Sequence, residues 1–151
     1  DTLLAAEARR LTSRTTTNLV SGARAITCTP MTPSIRESNP RTLSRIVTAG
    51  GATHFIHTRT PPLRLVLIGA TNIAEALATM ASAAGMDVVV VDPRPVFADA
   101  RRFAVPVVAD WPDSALQHIA IDTRSAIVTL THAAHIDDIA LRVALRSDAC
   151  T

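Results

Sequence analysis

From position 64 onward, apolar residues come in short unbroken blocks separated by stretches that repeat at helical spacing. RLVLIG, DVVVVD, VPVVA and AIVTLT have the continuous apolar character of strands buried on both faces, near 64–69, 88–92, 105–109 and 126–131. Between the first two, Ile73, Leu77, Met80, Ala81 and Ala84 fall on one side of a helix that Gly85 ends. PDSALQHI predicts a short helix after the third block. IDDIALRVALR predicts another after the fourth, with Ile136, Ile139, Ala140, Val143 and Ala144 inward. DACT then begins a further strand, so the sheet reads as cut short. Strand and helix in alternation imply parallel strands joined by crossovers, with helices on both faces. The fold class is α/β, a Rossmann-type sheet with the 64–69 strand between the 88–92 and 126–131 strands.

Residues 1–60 have a different texture. LLAAEARRL predicts a short helix, and TTTNLV, ARAITC, SRIVTA and ATHFIHT are β-branched runs. They are interrupted by Ser21-Gly22, by the Pro30–Pro40 stretch and by Gly50-Gly51, a pair suited to a hairpin turn. This region reads as a smaller α+β segment with too few strands to close itself. RTPP ends it, which gives a partial N-terminal segment at 1–60 and a Rossmann-type domain, C-terminally incomplete, at 61–151. An unclosed segment beside a shortened sheet leaves strand edges open, and self-association is the expectation.

Charge changes this picture little. All fifteen basic residues are arginine and the formal net charge is +2. Residues 1–60 carry eight arginines against three acids, and the remainder carries seven against ten. No aromatic residues interleave with the arginines, so no stacking platform for single-stranded nucleic acid is expected. No run approaches about 18 apolar residues, which speaks against a membrane span. The start of the chain does not read as a signal peptide. Cys28 and Cys150 form no C-x-x-C pair, as suits two buried thiols in a reducing cytoplasm. The five histidines make no zinc pattern with them, and no metal site is expected.

The chemistry concentrates in the turn after RLVLIG. A dinucleotide-binding turn needs three small residues, for the tight bend, for close backbone approach and for helix–strand packing. Here those positions are Gly69, Thr71 and Ala74. Thr71 sets a side chain where a phosphate meets bare backbone, although its hydroxyl can donate to that phosphate or cap the helix. Gly69, Ala70, Thr71 and Asn72 are therefore the candidate phosphate loop. Asp92 ends the second strand, where an acid accepts ribose hydroxyls in such folds. The bland alternative is a tight strand–helix connection with no ligand.

VVVVDPRPVFADARRF and IVTLTHAAHIDDIALRVALRSDA, together with PPLRLVLIGA, resemble the C-terminal Rossmann domain of the xanthine dehydrogenase accessory protein (XdhC/CoxI) family. The resemblance covers residues 61–150 and rests on Gly69, Asp92, Arg94, Pro95, Phe97, Arg102, Phe103, Thr131, His132 and Asp137. It departs at Thr71, where the family has glycine, and at Ala133 and Ala134, where polar residues are common. The family's N-terminal G-G-C stretch has no counterpart around Cys28. The resemblance implies a cytoplasmic protein that binds the molybdenum cofactor (molybdopterin), assists its sulfuration and delivers it to an apo molybdenum hydroxylase.

Asp92, Arg94, Thr131 and His132 lie at or just past strand ends, where open α/β sheets bind ligands. Arg94 and Arg102 can hold phosphate as bidentate donors. Each has a structural alternative: Arg94 can pair with Asp99, Phe97 and Phe103 can be core pegs, and His132 can cap the helix near Ile136. His135 is expected in solvent. No catalytic residue stands out. The expected ligand is molybdenum cofactor or NAD(P). The rival readings are an NAD(P)-dependent oxidoreductase and a nucleotide-sensing regulatory module.

Overall fold

A computed structural model describes residues 2–30, 42–119, 121–147 and 149, and the chain divides into two compact units, Asp1–Pro61 and Pro62–Thr151. The Pro30–Pro40 stretch falls largely outside the described residues, as do Cys150 and most of DACT.

The first unit begins with α1 (Thr2–Ala8) and continues through β1 (Thr12–Asn18), β2 (Arg24–Thr29), β3 (Thr42–Ala49) and β4 (Ala52–Arg59). α1 stops in a Schellman arrangement: Leu11 N–H donates to the Ala6 carbonyl and Arg10 N–H to that of Glu7. The strands form an antiparallel sheet in the order β2-β1-β4-β3. Its four strands are the four β-branched runs of the sequence, with shifted ends. TSR extends the TTTN run into a full strand, and Leu19 and Val20 leave it for the turn. Gly50 and Gly51 connect β3 to β4 with φ of +59° and +78°, the backbone that a two-residue hairpin turn with twisted flanks demands.

The second unit contains β5 (Arg64–Ile68), α2 (Asn72–Ala83), β6 (Asp87–Val91), β7 (Val107–Val108), α3 (Pro112–His118), β8 (Ser125–Thr129) and α4 (Ala134–Ala144). Its sheet is parallel throughout, in the order β7-β6-β5-β8, so β5 lies between β6 and β8 as the pattern predicted. β7 is shorter than VPVVA suggested: Pro106 has no N–H for a ladder, although its carbonyl accepts from Val90. Alternate strand residues point to opposite faces. Leu65, Leu67, Val88 and Val90 meet α2 on one side, while Val66, Ile68 and Val91 meet α3 and α4 on the other. Helices on both faces therefore bury β5 completely, which is why it could be written without a polar residue after Arg64.

The face of α2 that meets the sheet differs from the bulky stripe. Ala74, Ala78 and Ala81 are buried, with Leu77 packed beside them, whereas Ile73 and Met80 are 59% and 62% exposed. Small residues let the helix start hard against the β5 turn, and the turn fixes its rotation. The two possible stripes share Leu77 and Ala81, so periodicity alone settles on the larger side chains. Phe103, from the loop after β6, fills the core beside this helix as expected. In α4 the inward face is as predicted, with Ile136, Ala140 and Ala144 buried.

Candidate functional site

The carboxyl ends of β5, β6 and β8 converge on Gly69. Its φ is +108°, and its N–H donates to the Val91 carbonyl at 2.7 Å. A Cβ built on Gly69 would come within 2.7 Å of Thr131 Cγ2 and 3.0 Å of the Thr131 amide nitrogen. Backbone and sterics both require glycine at this point. The loop after β5 thus runs directly against the loop after β8.

α2 then begins with its axis at the loop. Thr71 is the N-cap, extended at φ −83° and ψ 172°, and its Oγ1 accepts from the Ala74 amide at 3.2 Å. The hydroxyl is occupied as a cap, which is the alternative open for it in the sequence. Among the described residues, the amides of Asn72 and Ile73 have no acceptor, as the first turn of a helix leaves them. Arg102 braces the loop from outside: its guanidinium donates to the Ala70 carbonyl at 3.0 Å, to Asn72 Oδ1 at 2.9 Å and to Glu75 Oε2 at 3.2 Å.

Asp92, directly after β6, is fully buried. Its Oδ2 accepts from the Ala70 amide and from Arg94 Nη2, both at 2.8 Å, and its Oδ1 accepts from the Arg94 amide and Arg94 Nε, both at 2.9 Å. Burial pushes this carboxyl up, but the Arg94 side chain, the two backbone amides and the Arg94 charge outweigh it, so it ionises below the usual range. The bond to Asp92 correspondingly raises the Arg94 guanidinium, against burial, with help from the charges of Asp92 and Asp137. Arg94 also lies over the Phe97 ring, 4.2 Å from its centroid. Phe97 is 41% exposed, so it supports Arg94 rather than the core. The proposed Arg94–Asp99 pair does not form: Asp99 binds Arg101 and caps the short 3-10 turn Ala100–Arg102.

On the third side, Thr131 Oγ1 donates to Asp137 Oδ1 at 2.6 Å and accepts from the Ala133 amide at 3.0 Å, which ties the β8 loop to the first turn of α4. His132 does not cap this helix. It is exposed, in the left-handed region at φ +55°, and the N-cap position is Ala133 with no side-chain bond. His135 is exposed and leans against Trp111, with ring centroids 6.3 Å apart. Among the described residues no group of three or more His, Cys, Asp or Glu could hold a metal, and no helix is long and apolar enough to cross a membrane.

Of the residues singled out in the sequence, Gly69, Ala70, Thr71, Asn72, Asp92 and Arg94 are therefore joined by direct bonds or chain neighbours, and Thr131 closes against Gly69. His132 is next to them in the chain but makes no bond among the described residues. Sequence reasoning missed the bracing by Arg102, Asn72 and Glu75. Its partners lie 27 to 32 positions away, and no local pattern announces them.

A parallel sheet with a glycine turn, a capped helix start and an acid at the next strand end defines a Rossmann-type domain, with its crevice outside the strand ends. Residues 65–151 match the XdhC Rossmann domain, and the chain belongs to that family. Among solved structures, one described as a xanthine dehydrogenase from Bacillus halodurans is similar, at 20% sequence identity and a TM-score of 0.65. The match covers 99% of this chain and 46% of that one, so the present chain spans less than half of its length. At that identity the likeness shows the fold. No curated protein matches the sequence.

Proposed function

We propose that this chain is an accessory protein for a molybdenum hydroxylase of the xanthine dehydrogenase type, whose Rossmann crevice holds the phosphate end of a molybdenum cofactor or a dinucleotide. Family membership ties the chain to xanthine dehydrogenase. The observation that carries the ligand reading is the meeting of two kinds of anion donor. The unpaired amides of Asn72 and Ile73 stand at the start of α2, and Arg94 is linked to the same loop through Asp92 and the Ala70 amide.

The residues present fit a phosphate. They bind and orient it, while the molybdenum centre itself would supply the oxygen-transfer chemistry once placed in the hydroxylase. Cys28, the described cysteine, lies in β2 of the first unit and is free. The role proposed for the crevice is accordingly to hold and deliver cofactor. The apo-hydroxylase is the proposed recipient, and self-association of the chain belongs to the same reading, supported by β2 and β3 being the outer strands of their sheet among the described residues.

Native mass spectrometry after incubation with molybdenum cofactor or NAD(P) tests this. A one-to-one adduct on the wild type, diminished in Arg94→Ala, is expected. A bare chain under every condition would remove the ligand reading.

A further inference from the structure

We propose that Asp92 is closed to ribose and that the Asp92–Arg94 pair makes the crevice select a terminal phosphate over the diol of a dinucleotide. This deepens the ligand reading above and rests on it.

A carboxylate offers about four lone-pair sites. At Asp92 four donors fill them: two amides, Ala70 and Arg94, and two guanidinium nitrogens, Nε and Nη2 of Arg94. The acid is also fully buried. A ribose diol could reach it only by expelling Arg94 from a bidentate, charge-assisted pair. Two neutral hydroxyl bonds would replace that pair, and the guanidinium would lose its partner. The exchange disfavours a diol.

Arg94 offers the opposite chemistry. Two of its three guanidinium nitrogens are committed to Asp92, and Nη1 has no acceptor among the described residues. The side chain is 32% exposed. Phe97 beneath the plane and Asp92 at one edge fix its orientation before any ligand arrives. An anion meeting that free edge loses little entropy in ordering the arginine. Asp92 pairs with Arg94, and the charge of Asp137 also acts on it. A terminal phosphate, with charge near −2 and three acceptor oxygens, is the anion best able to use both Arg94 and the two amides of α2. An internal pyrophosphate brings two sugars, and the sugar directed at Asp92 would find no acceptor.

Calorimetric titration of the whole chain with three probes tests this: ADP, 2′,3′-dideoxy-ADP and NAD. ADP and its dideoxy analogue should bind within about twofold of each other, because the diol makes no contact with Asp92. NAD, which has diols and no terminal phosphate, should bind at least about tenfold more weakly. Arg94→Gln should weaken ADP and dideoxy-ADP alike, with thermal unfolding checking that the variant is folded. The proposal is overturned if dideoxy-ADP binds tenfold more weakly than ADP, if NAD binds tightest, or if Arg94→Gln tightens ADP by freeing Asp92. In those cases phosphate-ligand binding itself still stands. If the wild type binds none of the three, the selectivity is overturned, while the ligand reading is still decided by the mass spectrometry with molybdenum cofactor.

Discussion

Gly69 and Thr131 stand so close that a Cβ on the first would lie 2.7 Å from Cγ2 of the second. The contact joins the turn after β5 to the turn after β8, and with it two walls of the crevice. Gly69→Ala should therefore be costly, combining a strained φ of +108° with a clash, for a total of about 2–4 kcal/mol. Thr131→Ser removes Cγ2 and keeps the hydroxyl that binds Asp137. Added to Gly69→Ala, it should restore part of the loss and leave the remainder, because the φ and the 3.0 Å approach to the Thr131 amide persist. Urea unfolding of the two single variants and the double variant checks this. Full additivity would mean that the contact is not what makes glycine necessary.

Asp92 predicts an acid-sensitive limb of stability. Its carboxyl ionises below the ordinary value of 3.8 in the folded chain, so the unfolded chain takes up the proton first. The stabilisation is complete above that ordinary value and disappears as pH falls through the lower folded one. Asp99 is drawn down to about 2 by Arg101, but it is a surface pair and should contribute little to the same limb. Asp92→Asn must set an NH2 against a donor in either orientation, since each oxygen accepts two. The variant should be about 2–3 kcal/mol less stable at neutral pH. Denaturant titrations across pH should show that gap narrowing below 3.8. A constant gap would sink the assignment.

The layout of the second unit was legible because its strands are buried on both faces. After Arg64 and Asp87, the runs LVLI and VVVV have no reason to be wholly apolar except in the middle of a sheet covered twice. The hairpin at Gly50-Gly51 was legible for a local reason, a backbone that few other residues adopt. The rotation of α2 was not, because two overlapping stripes satisfy the same period. Only the depth of packing against β5 selects Ala74 and Ala78 over Ile73 and Met80. The site divides in the same way. Gly69, Thr71 and Asp92 have positions fixed relative to strand ends, so spacing finds them. What Asp92 bonds to is a matter of side-chain competition between Arg94 and a ligand, and spacing does not rank the two.

Arg102 is the clearest case of a long-range part. It crosses from the loop after β6 to hold the Ala70 carbonyl, Asn72 and Glu75. Its loss should free the outer side of the phosphate loop without touching Asp92. Arg102→Ala should cost about 1–2 kcal/mol of stability, since its partners are part-exposed and water replaces some of the bonds. It should also weaken ADP binding by loosening the Asn72 end of α2. Hydrogen exchange should report faster opening across 70–75 with little change in β5. Uniform loosening of the whole unit would instead make Arg102 a general structural residue.

Thr71 separates fold from ligand binding most cleanly. Its hydroxyl caps the Ala74 amide, so Thr71→Ala should lower stability by about 1 kcal/mol, the usual worth of an N-cap. Thr71→Gly should cost only a few tenths of a kcal/mol by the same comparison, because glycine is itself a tolerated N-cap. The two variants part company in binding. Both remove the Oγ1 and Cγ2 that a phosphate approaching the start of α2 would meet, but only glycine also removes Cβ. Glycine should therefore tighten ADP binding by about 1–2 kcal/mol, and alanine by less. Calorimetry on the wild type and both variants, beside their unfolding curves, makes the comparison. If glycine and alanine weaken binding equally, the Thr71 hydroxyl is a phosphate ligand and its bond to Ala74 is exchanged when the ligand arrives. If glycine tightens binding as expected, the threonine is a steric brake on a loop whose shape and donors are otherwise intact.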